Sequence, residues 1–513
     1  MGTPIGQAAK KGLSCSGTDL FYRFFWEPEY QHLSIATGRT WFPITKGGPF
    51  RKWFGNNEYV INWKDGGCAI KTRTDDDGEP LAVVRNEAVY FREGGSWNDV
   101  SIGMLCCRYT PAGAIPTDSG PMVYSSESLL LLIAFLNSCV AKLYADLLCP
   151  TVHFGVGQIA LFPILSVPGL SAERVQSLID SARRDWDNGE TSWDFSIVPL
   201  LRPGVKAATL EASWQRWKVE CDIAIHRMRE LETENNRLFI EAYGLQAELQ
   251  ADVPLDRITL ARANARKDVA AFLSYAIGCM MGRYSLDEPG LILANAGDKL
   301  ARYVAKVGKP MDQLAYPPDG DGIVPVLDGD WFDDDIAART RDFLRVTFGE
   351  ATLRENVRFI EQSLGKDLRK YFLADFYKDH LQAYKKRPVY WLVQSPLKGF
   401  SVLIYLHRYT RDTMNLVLNR YLREYLAKLR GRLAHLAQAQ ASEATSASDK
   451  STARKEADKL IKTLRECEEW ERNTILPLAQ ARIELDLDDG VKTNYLKLGE
   501  ALAPIPGLAA AEE

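Results

Sequence analysis

The sequence predicts an α+β fold, with a mixed N-terminal domain rich in short strands followed by a mostly helical region. Short β-rich runs at residues 60–63, 82–84 and 88–91 are separated by Gly, Asp and Asn turns. Apolar residues then recur at helical spacing at residues 125–148, and again in most of the chain from about residue 172 onward. The 513 residues, 46% of them hydrophobic, suffice for several cores.

The second half of the chain contains three more specific patterns. A charged, periodically apolar stretch predicts a long helix over residues 210–243. Apolar runs at 390–393 and 402–405 flank a Pro- and Gly-containing turn and predict a small β-hairpin. Helices predicted over 413–436 and 452–484 can pack as a C-terminal antiparallel helical hairpin, joined by a low-complexity loop or frayed helix end.

These patterns predict six segments. They are a short lead (1–11), a mixed α/β domain (12–165), a helical region (166–286), a Pro- and Gly-rich, loop-rich connector (287–330), a basic helical domain with the strand pair (331–436), and the partner of the helical hairpin with the tail (437–513).

Composition excludes several classes of protein. The net charge of −4 means that any nucleic-acid surface must be local. Nine cysteines without a C-x-x-C spacing and six scattered histidines predict a reduced, cytoplasmic protein with no metal site. The most apolar stretch, residues 129–140, is too short to cross a bilayer, so no membrane partner is expected.

No catalytic motif is evident. Residues 153–157 have the Phe-x-Gly-x-Gly-like letters of a cofactor-binding turn, but no apolar strand precedes them and no acidic residue follows at the ribose-binding distance. The sequence contains no G-x-x-x-x-G-K-[S/T] phosphate loop and no G-x-S-x-G nucleophile motif. We therefore assign no catalytic, cofactor-binding or metal-binding residue.

Two local segments are strongly basic. Residues 39–73 contain seven basic and two acidic residues, interleaved with aromatic residues and glycines, and glycines allow a backbone to approach a phosphate closely. Residues 366–432 contain fifteen basic and five acidic residues. A solvated loop over an aromatic core, or a helix facing solvent or a protein partner, would give the same patterns. The candidate DNA-binding residues are Lys46, Gly47, Gly48, Arg51, Lys52, Asn56, Asn57, Lys64, Lys385, Lys386 and Arg387.

Several segments resemble PglX-type adenine-specific DNA methyltransferases of BREX phage-defence systems. The most specific match is the run at 42–63, FPITKGGPFRKWFGNNEYVINW. The other matching segments lie at 12–23, 136–138, 150–164, 234–245, 274–285, 376–380, 384–391 and 487–492. Residues 136–164 are similar to the end of a target recognition domain. The resemblance therefore implies that the glycines at 155 and 157 belong to that domain and not to a cofactor-binding turn.

The resemblance implies a C-terminal part of such an enzyme, with residues 12–165 as the target recognition domain. A full member has a methyltransferase domain before the segment at 12–19, with an S-adenosylmethionine turn and an Asn-Pro-Pro-Tyr loop, whereas about eleven residues precede it here. Tyr316-Pro317-Pro318-Asp319 has these letters in reversed order and is typical of a turn. The implied partners are double-stranded DNA, a separate or missing methyltransferase domain and other BREX proteins.

Three functions stay open at this point. The chain can be a DNA-recognition and scaffold part that is inactive alone and holds no cofactor itself. It can be a protein-interaction scaffold of the defence complex with little direct base reading. It can also be a complete but divergent methyltransferase, although no substitute for the cofactor turn is visible in the sequence.

Overall fold

The computed structural model describes residues 3–35, 38–125, 128–442 and 446–508. It has the predicted α+β composition, with long helices and several small antiparallel sheets. The chain divides into two compact units. Unit 1 comprises Met1–Phe25, Tyr30–Pro199 and Gln215–Asn264, and unit 2 comprises Trp26–Glu29, Leu200–Trp214 and Ala265–Glu513.

The first 264 residues contain eleven described strands and seven α-helices. The strands are β1 Thr3–Pro4, β2 Ala9–Lys10, β3 Ser14–Cys15, β4 Tyr22–Phe24, β5 Trp41–Pro43, β6 Tyr59–Asn62, β7 Ala82–Val83, β8 Gly94–Trp97, β9 Cys107–Thr110, β10 Met122–Val123 and β11 Pro163–Ile164. The helices are α1 Thr18–Phe21, α2 Lys64–Lys71, α3 Leu129–Leu136, α4 Cys139–Leu148, α5 Val156–Ile159, α6 Ala172–Trp186 and α7 Leu210–Tyr243.

Small antiparallel sheets and a helical core build unit 1. Two sheets have the strand orders β2-β10-β8-β9 and β4-β6-β5, and the pairs β1-β11 and β3-β7 complete the set. The largest core of this unit combines α3, α4, α6 and α7, with Phe135, Phe162 and Phe239 fully buried. Such dense aromatic burial stabilises the scaffold that carries the loops discussed below.

Unit 2 is mainly helical. Its described helices are α8 Ala265–Met281, α9 Leu300–Val307, α10 Ile336–Phe348, α11 Leu353–Leu364, α12 Leu368–Ala374, α13 Phe376–Ala383, α14 Thr413–Leu416, α15 Arg423–Ala441, α16 Ala447–Trp470, α17 Leu476–Ala481 and α18 Gly490–Leu498, with π-helical segments at Val417–Leu422 and Glu471–Ile475. Its strands are β12 Ile323–Pro325, β13 Tyr390–Gln394 and β14 Ser401–Tyr405, in the antiparallel order β12-β14-β13.

Short 3₁₀ helices connect these elements. They lie at Gly6–Ala8, Tyr30–His32, Glu87–Val89, Pro199–Leu201, Leu255–Arg257, Met311–Gln313, Glu350–Thr352, Leu406–Arg408, Leu487–Asp489 and Gly499–Ala501.

Several predicted elements are confirmed. Helix α7 has the predicted bounds, and β13 pairs with β14 as the predicted hairpin. Helices α15 and α16 form an antiparallel hairpin that buries Leu429 and Leu460 in a shared core. The ion pairs Arg423–Glu471, Arg430–Glu468 and Arg432–Glu456 lie at its surface. The loop between these two helices is shorter than predicted, because α15 continues to Ala441 and α16 begins at Ala447.

Two local predictions are wrong. The continuous helix over 125–148 is two helices, because Ser138 has an extended backbone and caps α4 by accepting from the Ala141 N–H. The preceding Asn137 side chain exchanges two hydrogen bonds of 2.9 Å with the backbone of Cys107. The run at 88–91 forms no strand, since Glu87–Val89 is a 3₁₀ turn. The predicted loop-rich region at 287–330 also contains the short elements α9 and β12.

No single described helix is long and apolar enough to span a membrane; α3 and α4 pass that test only as a pair, which is bent by 69°.

Candidate nucleic-acid interface

The segment that carries most candidate residues is the loop of a β-hairpin. Strands β5 and β6 pair antiparallel, with Phe42 opposite Ile61, and residues 44–58 connect them. A connection of this length without regular structure is uncommon in a compact domain and is usually functional. We call residues 46–50 the loop tip and residues 51–57 the loop anchor.

The loop anchor points inward. Arg51 donates to the Asp185 carboxylate at 2.8 Å, to the carbonyl oxygens of Phe54 and Ala182 at 2.7 and 3.1 Å, and stacks 4.9 Å from the ring centroid of Trp186. The planar guanidinium thereby joins the loop to α6. The Arg51 side chain is only 13% exposed, so Arg51 is a structural residue of unit 1.

Lys52 is more deeply buried. Its ammonium lies 2.7 Å from Glu232 Oε2 on α7, and the indole N–H of Trp53 donates to Glu232 Oε1 at 2.8 Å. All three side chains are buried. One carboxylate of α7 therefore holds two successive loop residues. Trp53 itself adopts a left-handed backbone conformation, with φ of 71°.

The two asparagines of the anchor are also turned inward. Asn56 donates from Nδ2 to the carbonyl oxygen of Pro49 at 2.9 Å, and this contact ties the anchor to the tip. The carbonyl oxygen of Asn57 accepts from the Trp193 indole at 2.5 Å. The side-chain oxygens of both asparagines are buried and have no hydrogen-bond partner among the described residues.

The loop tip is open to solvent. Gly48 and Pro49 are exposed, and Lys46, Gly47 and Phe50 are partly exposed. The Lys46 ammonium lies 4.5 Å and 5.2 Å from the ring centroids of Tyr59 and Tyr22. Burial lowers the pKa of Lys46, and the nearby carboxylates of Asp19 and Asp118 partly oppose that shift.

Glycine is required at position 48 by packing. A Cβ there would lie 2.7 Å from Asn56 Nδ2, closer than side chains allow, whereas a Cβ at Gly47 would meet its nearest neighbour at 3.4 Å. The Gly48 carbonyl accepts from Asn98 Nδ2 at 2.7 Å, and Asn98 in turn accepts from buried Arg108 at 2.8 Å. The tip is thus held by a second loop that begins at Asn98.

Lys64 lies apart from this loop, at the start of α2. It is exposed, and its backbone N–H donates to Asn62 Oδ1 at 3.2 Å. Asp65, Gly66 and Gly67 follow it in the left-handed conformation. Lys64 is therefore accessible to a ligand.

The candidate lysines of unit 2 form the turn that ends α13. Lys385 and Lys386 are exposed and both have positive φ, 51° and 60°. The N–H of Lys386 donates to the carbonyl oxygen of Leu381 at 2.7 Å, which is a Schellman-type closure that normally favours glycine. Arg387 is partly buried, 3.9 Å from Glu27, and its carbonyl oxygen accepts from the Trp26 indole.

The charge excess of residues 366–432 is largely neutralised in three dimensions. Seven of its fifteen basic residues pair with carboxylates that lie outside this window in the sequence of unit 2. The pairs are Arg369–Asp330, Arg369–Asp335, Arg387–Glu27, Arg411–Glu484, Arg420–Asp321, Arg423–Glu471, Arg430–Glu468 and Arg432–Glu456. A count of charges over a sequence window therefore overstates the positive charge of this surface.

The structure identifies residues that sequence reasoning missed. Glu232 shares one face of α7 with the buried side chains Met228, Asn235 and Phe239, at intervals of four, three and four residues. A carboxylate on an apolar helical face predicts a buried cationic partner. That pattern is visible in the sequence, although the identity of the partner is not.

Residues 153–157 do not fit an S-adenosylmethionine site. Gly155 precedes the four-residue helix α5, and the residues before it form an irregular segment in which His153 makes a single bridge to Val100. A cofactor turn needs a strand, a tight glycine turn and a long helix. Among the described residues, no group of three His, Cys, Asp or Glu side chains could hold a metal ion.

No protein-family model matches the sequence. The chain is 35% identical over 515 residues to the adenine-specific methyltransferase PglX of Lacticaseibacillus casei (strain Zhang), covering 96% of this chain and 42% of that protein. It is 33% identical over 540 residues to the adenine-specific methyltransferase BrxX of Escherichia coli O9:H4 (strain HS), covering 98% of this chain and 43% of the relative. The chain spans less than half the length of these relatives, and almost all of it is similar in sequence to a part of PglX- and BrxX-type adenine-specific methyltransferases.

Proposed function

We propose that this chain is the DNA-recognition and scaffolding part of a PglX-like N6-adenine DNA methyltransferase in BREX-type phage defence. It corresponds in this proposal to the C-terminal part of such an enzyme and acts in the cytoplasm. Methyl transfer from S-adenosylmethionine is performed by a methyltransferase part outside the present sequence. Double-stranded DNA, that methyltransferase part and other BREX proteins are the proposed partners.

The observation that carries the proposal is the division of the 44–58 loop. Its anchor is fixed by two charged contacts to α6 and α7, through Asp185 and Glu232. Its tip presents exposed glycine backbone beside Lys46. A loop fixed at its anchor, with exposed glycine backbone and a neighbouring cation, is suited to hold a phosphate and to present side chains to a groove.

The internal contacts of Arg51, Lys52, Asn56 and Asn57 change the roles proposed for them. We assign these four residues to positioning of the loop, and Lys46, Gly47, Gly48 and Lys64 to DNA contact. In unit 2, exposed Lys385 and Lys386 are proposed to contact the phosphate backbone, with Arg387 supporting their turn.

The experiment is a binding selection from a random duplex library with the purified chain. We expect one sequence motif to be enriched, and we expect affinity for the enriched duplex to fall as salt rises. The Lys46→Gln and Lys64→Gln double variant should weaken binding, whereas Lys142→Gln, an exposed lysine of α4 paired with Asp146, serves as control. Equal affinity for all duplexes would contradict recognition.

A second candidate function has one observation in its favour. Helix α7 exposes Val219 and Ile223, 57% and 64%, one turn apart. They line a shallow groove of about 410 Å³ together with Asp222, His226, Arg227 and Glu230. An exposed apolar helical face is typical of a protein-docking surface and supports a scaffold with little base reading. The Ile223→Ser variant tests this function in two assays, DNA selection and binding to a BREX protein. If the variant selects DNA normally but no longer binds the BREX protein, the chain has both roles.

A further inference from the structure

A second loop of unit 1 contains a strongly exposed apolar side chain. Ile102 is 98% exposed, and the neighbouring Val100 and Val152 are 53% and 46% exposed. Single exposed apolar residues are common, but these three lie on two segments whose backbones are hydrogen-bonded to each other. We call residues 99–103 the apolar loop.

The apolar loop is held in place by its backbone. The N–H of Asp99 donates to the carbonyl oxygen of Ser119 at 3.2 Å, and that of Ser101 donates to the carbonyl oxygen of Val152 at 2.9 Å. The N–H of Gly103 donates to Ser101 Oγ at 3.1 Å. The isoleucine at its end is therefore presented to solvent by a fixed backbone.

The apolar loop lies beside the loop tip. Asn98, the residue before it, donates to the Gly48 carbonyl at 2.7 Å. A Cβ added at Gly103 would lie 3.8 Å from Phe50 Cδ2, in ordinary van der Waals contact. Lys11 and His153 flank the loop, each 3.7 Å from the Asp99 carboxylate, so the acidic group of this loop faces two basic side chains.

We propose that Ile102 enters the base stack of the bound duplex as an apolar wedge. This inference rests on the proposed function. Apolar side chains inserted between base steps unstack them, and the cost is offset by contacts that the deformed DNA makes with the protein. An enzyme acting on a base must also take that base out of the stack, and a side chain in the vacated step lowers the cost of doing so.

Duplex DNA is the partner that the surroundings favour. The exposed apolar side chains are few, and their loop adjoins the exposed backbone of Gly48, two residues from Lys46, which together are suited to a phosphate. A protein-docking surface would instead be expected to have a broader apolar area. With such a wedge, the apolar loop favours DNA sequences that deform easily, in addition to any sequence selectivity from contacts with base edges.

The test uses the full chain and duplexes carrying 2-aminopurine at successive positions of the selected site. We expect wild-type protein to raise the fluorescence at one base step, and Ile102→Ala to leave it at the level of free duplex while binding more weakly. Ile461→Ala is the matched control, because it removes the same atoms from an exposed site on α16. Because Ile102 is almost fully exposed, its substitution leaves the fold intact.

The outcomes separate the wedge from the proposed function. If wild-type protein selects no duplex, the proposed function fails. If Ile102→Ala selects the same duplex and gives the same fluorescence rise as wild type, the wedge is overturned and recognition stands. If Ile102→Ala keeps that rise but loses binding to a methyltransferase part or another BREX protein, the apolar loop is a protein contact and the wedge is likewise overturned.

Discussion

Lys52 and Glu232 form a buried ion pair, with Lys52 Nζ 2.7 Å from Glu232 Oε2 and both side chains at most 5% exposed. The pair joins the hairpin loop of residues 44–58 to helix α7, and Trp53 donates to the second oxygen of the same carboxylate. A buried charge is tolerated when it is paired and hydrogen-bonded, and it becomes costly when its partner is removed. This pair therefore fixes where the loop tip can lie.

Substitution of Glu232 should destabilise unit 1 strongly. Glu232→Ala leaves the Lys52 ammonium buried without its carboxylate, and we expect a loss of about 3–5 kcal/mol in the free energy of unfolding. Glu230→Ala, two residues away and paired at the surface with Arg227, should cost about 0–1 kcal/mol. Urea unfolding followed by tryptophan fluorescence measures both, and the Lys52→Met, Glu232→Leu double variant should recover much of the loss. Additive losses in the double variant would contradict a coupled pair.

The two glycines of the loop tip should respond differently to substitution. Gly48→Ala places a methyl group 2.7 Å from the buried Asn56 side chain, so we expect a loss of about 1–3 kcal/mol and weaker DNA binding. Gly47→Ala meets only ordinary contacts and should stay within about 0.5 kcal/mol of wild type. Thermal unfolding and DNA titration of the two variants test this, and equal effects would contradict the packing explanation.

Asp321 should make unit 2 less stable as pH rises. Burial and the neighbouring Asp319 raise its pKa from 3.8 to about 7, despite contacts with Tyr421 and Arg420 at 3.0 and 2.9 Å. Between about pH 4 and pH 7, the folded state thus holds a proton on Asp321 that the unfolded state has released. Its stabilisation is present below about pH 4 and is lost as pH rises to about 7. The stability difference between wild type and Asp321→Asn should fall over this window, and a constant difference would contradict the prediction.

His380 and His407 should act in the opposite direction. Burial, together with the charge of Arg283, lowers the pKa of each from 6.5 to about 3. The unfolded chain therefore takes up protons below pH 6.5 that the folded state refuses, and stability is lost as pH falls from about 6.5 to 3. Removal of one titrating group in His407→Phe should reduce this acid sensitivity by about half, as measured by unfolding between pH 7 and 4. Unchanged acid sensitivity would show that His407 does not titrate as described.

The elements that the sequence predicted correctly are those set by local pattern. Helix α7 is a long periodic segment, and strands β13 and β14 are continuous apolar runs on either side of turn residues. The break between α3 and α4 was missed, although Ser138 is of a residue type typical of a helix N-cap. The two hydrogen bonds that Asn137 exchanges with the backbone of Cys107, thirty residues earlier, could not be predicted from local pattern.

The same limit applies to the candidate site. Composition indicated the basic window at 39–73, which contains this loop, but it could not distinguish the partly exposed Lys46 from the inward Arg51 and Lys52. The partners that turn these two residues inward, Asp185 and Glu232, lie 134 and 180 residues away in the sequence. The apolar loop was missed for a related reason, since nothing in the sequence shows that Ile102 is exposed or that its loop adjoins Gly48.

Hydrogen exchange of the chain with and without its selected duplex tests the central claim most directly. The account predicts that the duplex slows exchange in peptides covering residues 46–50 and 99–103, while the exposed face of α7 around Ile223 is unchanged. A scrambled duplex of the same length and salt concentration should give weaker protection. Protection confined to α7, or identical protection by both duplexes, would contradict recognition of DNA through these two loops.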